Sequence, residues 1–158
     1  MAESKIIGCL GEQLVAHWLT IQGWQILHHQ WHCRYGEIDL IALEMGKQRD
    51  PMLAFVEVKT RSRGNWDQGG LLAITSNKQA KLILAAQLFL SDRPDLVNSP
   101  CRFDVALVRC DGSPTSTTHT QPSPTFPPNF KVGQPVSLQG YRLMLQDYIE
   151  FAFDAGSS

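Results

Sequence analysis

The sequence predicts an α/β domain with a mixed central β-sheet flanked by helices. Two observations carry this. The N-terminal stretch repeats apolar residues at helical spacing, whereas GEIDLIALE and MLAFVEVKTR alternate like strands. A second helical stretch then separates these runs from another strand-like run, CRFDVALVRC. That order suits a mixed sheet covered by helices.

Each element has its own signal. From Ser4 to Thr20, the residues Ile7, Leu10, Leu14 and Trp18 form one stripe, flanked by Ile6, Val15 and Leu19. Gly23 ends this helix. Trp24 to Cys33 (WQILHHQWHC) reads as a first strand with irregular alternation, and Gly36 to Glu44 as a second. A polar turn ending at Pro51 leads into the third strand, Met52 to Arg61, and the spacing suits a hairpin. Ser76 and Gln79 have capping-box spacing and predict a second helix through Leu82, Ile83, Ala86, Phe89 and Leu90 that stops before Pro94. Cys101 to Cys110 is the fourth strand. YRLMLQDYIEFAF closes the chain as a strand or helix.

Composition limits the function classes. A chain of 158 residues with a hydrophobic fraction of 43% supports one domain, 1–158, with its own core. Between 111 and 135 lie six of the nine prolines and eight Ser or Thr residues, the composition of a flexible or disordered insert. No apolar run approaches the roughly 20 residues that span a bilayer, and the N-terminus lacks the features of a signal peptide. Four cysteines without a CxxC pair fit a reduced, cytoplasmic setting. The net charge of -1 argues against a general basic coat for nucleic acid. From Glu57 to Lys81, however, five basic residues outnumber two acidic ones, an excess suited either to phosphates or to a solvated face.

The chemistry concentrates in FVEVKTR. On a strand, residues two apart share a face, so Glu57, Lys59 and Arg61 project together and Val56, Val58 and Thr60 oppose them. The same alternation places Glu37 and Asp39 on one face of the second strand and Ile38, Leu40 and Ala42 on the other. Pairing of the two strands brings Asp39 near Glu57 and Lys59. Two adjacent carboxylates repel unless a cation lies between them. Magnesium is apt, because it needs only one or two protein carboxylates beside waters and phosphate oxygens. A nearby lysine orients water or stabilises developing phosphate charge. Surface ion pairing on an exposed sheet face is the competing reading of the same spacing.

GEIDLIA, FVEVKTR and RFDVALV together resemble the YraN-like family of small bacterial proteins, a branch of the restriction-endonuclease-like PD-(D/E)xK nuclease superfamily. The likeness runs from about Gly8 to Cys110. It includes Gly11-Glu12, Arg34, Gly36-Glu37-Ile38-Asp39, Glu57-Val58-Lys59 with Arg61, Lys78 and Arg102-Phe103-Asp104. The resemblance implies a restriction-endonuclease-like fold and magnesium- or manganese-dependent cleavage of DNA, including branched or structured DNA. It makes Asp39, Glu57 and Lys59 the catalytic set, and Asp39, Glu57, the Val58 carbonyl and Glu12 the metal ligands. Periodicity places Glu12 by the flank of Val15 and Leu19 and leaves a solvent-facing position equally open. Ile38 stands where the superfamily's name has proline.

Arg61, Arg63, Lys78 and Lys81 are the expected nucleic-acid contacts. Both lysines lie near the start of a helix, one turn apart, where they oppose its dipole and need another reason for their position. Trp66, between Arg63 and the glycines that follow, is a further candidate for base contact. Trp24 and Trp31 are read as packing residues. The run His28, His29, His32, Cys33 resembles a zinc cluster, but His28 and His29 face opposite ways on a strand, so tetrahedral convergence needs an irregular turn, and solvated or hydrogen-bonded histidines are the preferred reading. Glu37 and Asp104 are expected to pair with Arg34 and Arg102. The partners expected are nucleic acid, above all DNA, and no membrane, with a homo-oligomer left open. The rival readings are a non-catalytic nucleic-acid or protein-binding module on the same fold, and an interaction protein recruiting through its Pro-rich insert.

Overall fold

The computed structural model describes residues 2–46, 49–62, 74–112 and 126–155. The chain opens with helix α1 (Ala2–Ile21), followed by strands β1 (Trp24–Cys33), β2 (Gly36–Glu44) and β3 (Leu53–Arg61). Helix α2 (Ser76–Ser91), a short 3-10 turn, β4 (Cys101–Asp111), β5 (Pro135–Leu138) and β6 (Tyr141–Phe153) complete it. All six strands form one mixed sheet in the order β1-β2-β3-β4-β6-β5. This is the α/β class expected, with an architecture consistent with restriction-endonuclease-like folds. The terminal segment resolves as strand β6, and β5 was not anticipated. Among the described residues, no helix is long and apolar enough to cross a membrane.

One parallel pair organises the domain. β3 and β4 run parallel in register from Leu53↔Cys101 to Arg61↔Arg109, whereas the other neighbouring strands are antiparallel. A parallel pair needs a crossover, and here the connection carries α2. α2 packs on one sheet face and α1 on the other. Thr75 caps α2, its hydroxyl accepting from the Lys78 N–H. The cap is therefore one residue ahead of the Ser76 expected, because Thr75 already has the extended backbone a cap requires.

Each face has its own core. Ile7, Leu10, Leu14, Val15 and Leu19 of α1 pack on Leu40, Val56, Ala106 and Val108. Leu82, Ala85, Ala86 and Phe89 of α2 pack on Ile38, Ile41, Phe55 and Phe103. Burying each large side chain supplies about 1.5–3 kcal/mol. Trp31 meets the Phe89 ring edge-on at 5.5 Å, and Trp24 stacks under the Arg102 guanidinium at 4.7 Å, so both tryptophans pack as expected. Ile6, expected on the buried flank, is 42% exposed.

Ile38 departs from the expected alternation. It lies in the α2-side core, although Leu40 and Ala42, two and four residues on, lie in the α1-side core. β2 thus changes face between Leu40 and Ile38, at Asp39. A second irregularity lies where β4 meets β6. The register shifts between Phe103 and Val105, and the fully buried Asp104 occupies the shift. It accepts from Tyr148 Oη at 2.6 Å, the Phe151 N–H at 3.1 Å and Arg102 Nε at 3.0 Å.

Of the segment read as an insert, 113–125 lies outside the described residues. The part that follows is tied down. Phe130 is buried in the α1-side core, and His17 stacks on Phe126 and Phe130 at 4.6 and 6.0 Å.

Candidate active site

The β2–β3 ladder is short, pairing Leu40–Leu43 with Leu53–Val56. Continued by one step, it would set Asp39 opposite Glu57. There the pairing stops, and Asp39 Oδ2 instead accepts the Val58 N–H at 2.8 Å. A side chain thus replaces a backbone acceptor and satisfies a buried donor. The opened seam admits a cleft of about 640 Å³, lined by Glu3, Ser4, Ile7, Gly8 and Glu12 of α1, Asp39, Glu57, Val58, Thr60, Ser62 and Gly112.

Asp39 and Glu57 are 8% and 6% exposed. Glu57 Oε1 lies 3.5 Å from Lys59 Nζ and 4.0 Å from Lys78 Nζ. Its other oxygen, Oε2, is buried and has no hydrogen-bond partner among the described residues. Burial, then the charge of Asp39, pushes the Glu57 carboxyl up to about 7. Glu12 is likewise raised to about 7, by burial and then by Asp39. Burial also raises Asp39, against the opposing hydrogen bond from Val58. Three acidic groups therefore share a partly desolvated cleft that resists full ionisation without added positive charge.

α1 reaches the cleft through a close approach. A Cβ on Gly11 would collide with Thr60 Oγ1, so a glycine is required for the helix to lie this near β3. The next residue, Glu12, then projects beside Asp39. Its Oε2 accepts from Gln30 Nε2 of β1 at 2.8 Å. Glu12 is half-buried at the cleft, held by this hydrogen bond at its rim.

A metal fits this donor set in a particular way. Among the described residues, no three His, Cys, Asp or Glu side chains converge as a ready-made cage, so Glu12, Asp39 and Glu57 line one cleft without closing a coordination sphere. A hard divalent cation that keeps several waters needs only one or two carboxylates. The orphaned Glu57 oxygen and the crowded acids are compatible with such a cation.

The remaining expected residues distribute as follows. Lys59 and Lys78 reach the site from β3 and α2. Arg61 ends β3 and is exposed, as is Lys81, three residues beyond Lys78 on α2. Arg63 and Trp66 lie outside the described residues. Arg102 pairs with Asp104 as expected, but Glu37 pairs with His32 Nδ1 at 3.2 Å, while Arg34 turns onto the Tyr35 ring and hydroxyl. His28 packs edge-on to Phe89 on the α2 side, whereas His29 faces α1 beside Gln13. Sequence reasoning missed Gln30 and the partnerless Thr60 hydroxyl. The irregular alternation of WQILHHQWHC was the available signal for Gln30.

A mixed sheet that opens between two acid-bearing strands, with Glu57-x-Lys59 on the parallel one, has the layout expected for a restriction-endonuclease-like domain. Residues 11–108 match the Uncharacterised protein family UPF0102, and the chain belongs to that family. It is 50% identical over 157 residues to the UPF0102 protein of Trichodesmium erythraeum, covering 92% of this chain and 87% of that one. The UPF0102 protein of Acaryochloris marina is 50% identical over 154 residues, covering 93% and 89%. That of Synechocystis sp. is 47% identical over 148 residues, covering 93% and 97%.

Proposed function

We propose that this protein is a PD-(D/E)xK-type, metal-dependent nuclease that hydrolyses phosphodiester bonds in DNA, with magnesium or manganese as its cofactor. The observation carrying this reading is the buried Glu57 carboxylate, orphaned at Oε2, facing Asp39 across an open cleft and flanked by Lys59 and Lys78.

Asp39, Glu57 and the Val58 carbonyl would hold the cation, with Glu12 beside them. The bound cation supplies Lewis-acid stabilisation of phosphate charge and a more acidic water. Lys59, held against Glu57, orients the attacking water and offers a positive charge to the phosphate in the transition state. Lys78 approaches the same carboxylate oxygen from α2 and adds to its neutralisation. Arg61, beyond Lys59 on β3, holds a neighbouring phosphate. Without a cation, the acid-lined cleft repels a phosphate backbone, which weighs against passive binding of nucleic acid at this site.

The test uses the purified protein with duplex, single-stranded and branched DNA in magnesium or manganese, beside Asp39→Asn and Lys59→Ala. Each substitution should lower cleavage by about a hundredfold or more. Cleavage that survives both, or binding of every substrate without cleavage, overturns the catalytic reading and favours the non-catalytic module.

A further inference from the structure

Gln30 occupies an unusual position in the sheet. It is a strand residue with φ of +48°, in the left-handed region that few non-glycine residues adopt. In the β1–β2 register, Trp31 pairs with Ile38 and His29 with Leu40. Gln30 therefore stands opposite Asp39, and this step is missing from the ladder. Gln30, Asp39 and Glu57 form one row across three strands, and regular pairing fails along the row on both sides of Asp39.

Both strands change face at this row. On β1, His29 and Gln30 both turn towards α1, and Trp31 returns to Phe89 on the α2 side. On β2, Leu40 packs on the α1 side and Ile38 on the α2 side. The paired switches preserve cross-strand partners and leave two polar side chains, Gln30 and Asp39, turned towards Glu12. The Gln30 amide donates to Glu12 Oε2. β1 also carries a bulge between Ile26 and His28, but the backbone outlier falls at Gln30, the position opposite Asp39, and an outlier kept there points to a constraint beyond folding.

We propose that Gln30 is a positioning residue whose amide fixes the Glu12 carboxylate beside Asp39, completing the cation-binding cleft from outside the ligand set. The inference rests on the metal-dependent reading given above. Groups that orient ligands in this way carry a measurable part of metal affinity.

Two substitutions isolate the amide. Gln30→Gly keeps the positive φ without steric cost but deletes the donor. Gln30→Met keeps the approximate length and removes the donor without adding charge. Manganese alone is titrated into the full-length protein and each variant by calorimetry, and metal-free melting temperatures are recorded in parallel. Both variants should bind manganese about 10- to 100-fold more weakly, while Gln30→Gly melts at or above the wild-type temperature. Wild-type affinity in both variants overturns the role of Gln30 and leaves the metal-dependent reading standing. A melting temperature that falls in Gln30→Gly with unchanged affinity shows a structural role only, and also overturns it. Failure of the wild-type protein itself to bind manganese removes the metal-dependent reading and the inference with it.

Discussion

Asp39 takes the Val58 backbone N–H at 2.8 Å, occupying with a side chain the place where the β2–β3 ladder would have continued. The same carboxylate is structural acceptor and candidate ligand. Asparagine retains an acceptor oxygen while removing charge. Asp39→Asn should therefore raise the melting temperature of the metal-free protein by about 2–4 °C, the shift that 1 kcal/mol produces in a domain of this size. Asp39→Ala orphans the Val58 N–H and should lower it. Calorimetric scans of both variants decide the point, and an equal loss in both contradicts it.

The acidic cleft gives the metal-free protein a pH dependence of definite sign. Glu12 and Glu57 are raised from 4.5 to about 7 on folding. Between those values the folded state holds more protons than the unfolded chain, so stability falls as pH rises across the window. The contribution is complete below 4.5 and lost as pH passes about 7. Glu57→Gln should flatten this slope in a melting-temperature series. On the metal-dependent reading, manganese should stabilise the protein increasingly as pH rises.

Gly11 and Thr60 should behave as a coupled pair. Gly11→Ala drives a methyl group into Thr60 Oγ1 and should cost about 1–3 kcal/mol, as overpacking does. Thr60→Ala alone should cost little, because that hydroxyl has no partner among the described residues. The double variant should recover most of the loss. A double-mutant cycle by urea denaturation measures this, and additive effects would refute the contact.

Asp104 holds the β4–β6 shift together. Its replacement by alanine strands the Tyr148 hydroxyl and the Phe151 N–H and leaves the largely buried Arg102 guanidinium with Glu150 as its remaining acidic partner. The expected loss is about 3–5 kcal/mol. Asp104→Asn keeps an acceptor and should lose less. Equal losses would show that shape, not hydrogen bonding, is what the site requires.

Much of this organisation was legible in the sequence. α1, α2 and the β2–β3 hairpin announce themselves by period, and the charges of FVEVKTR by their spacing. What escaped did so for physical reasons. β5 is four residues long and follows a proline-rich stretch, although Gln139 and Gly140, at φ of +50° and +85°, supply the two-residue turn that joins it to β6. The Glu37 partner was misassigned because sequence proximity favoured Arg34, whereas cross-strand register sets His32 opposite Glu37. The position of Gln30 depends on a change of face that a strict two-residue period cannot express. Arg63 and Trp66 lie outside the described residues and stay as sequence expectations.

The paired change of face on β1 and β2 behaves like a frameshift and its suppressor. Deleting Gln30 alone would put Trp31 and Cys33 out of phase with their partners, and deleting Asp39 alone would do the same to Ile38. Removing both residues would restore the alternation across this row, with His29 still opposite Leu40 and Trp31 still opposite Ile38, and would leave only the bulge between Ile26 and His28 on β1. The outcome would be a more regular sheet without its acid. In this protein, the chemistry is written as an interruption that two neighbouring strands must make together.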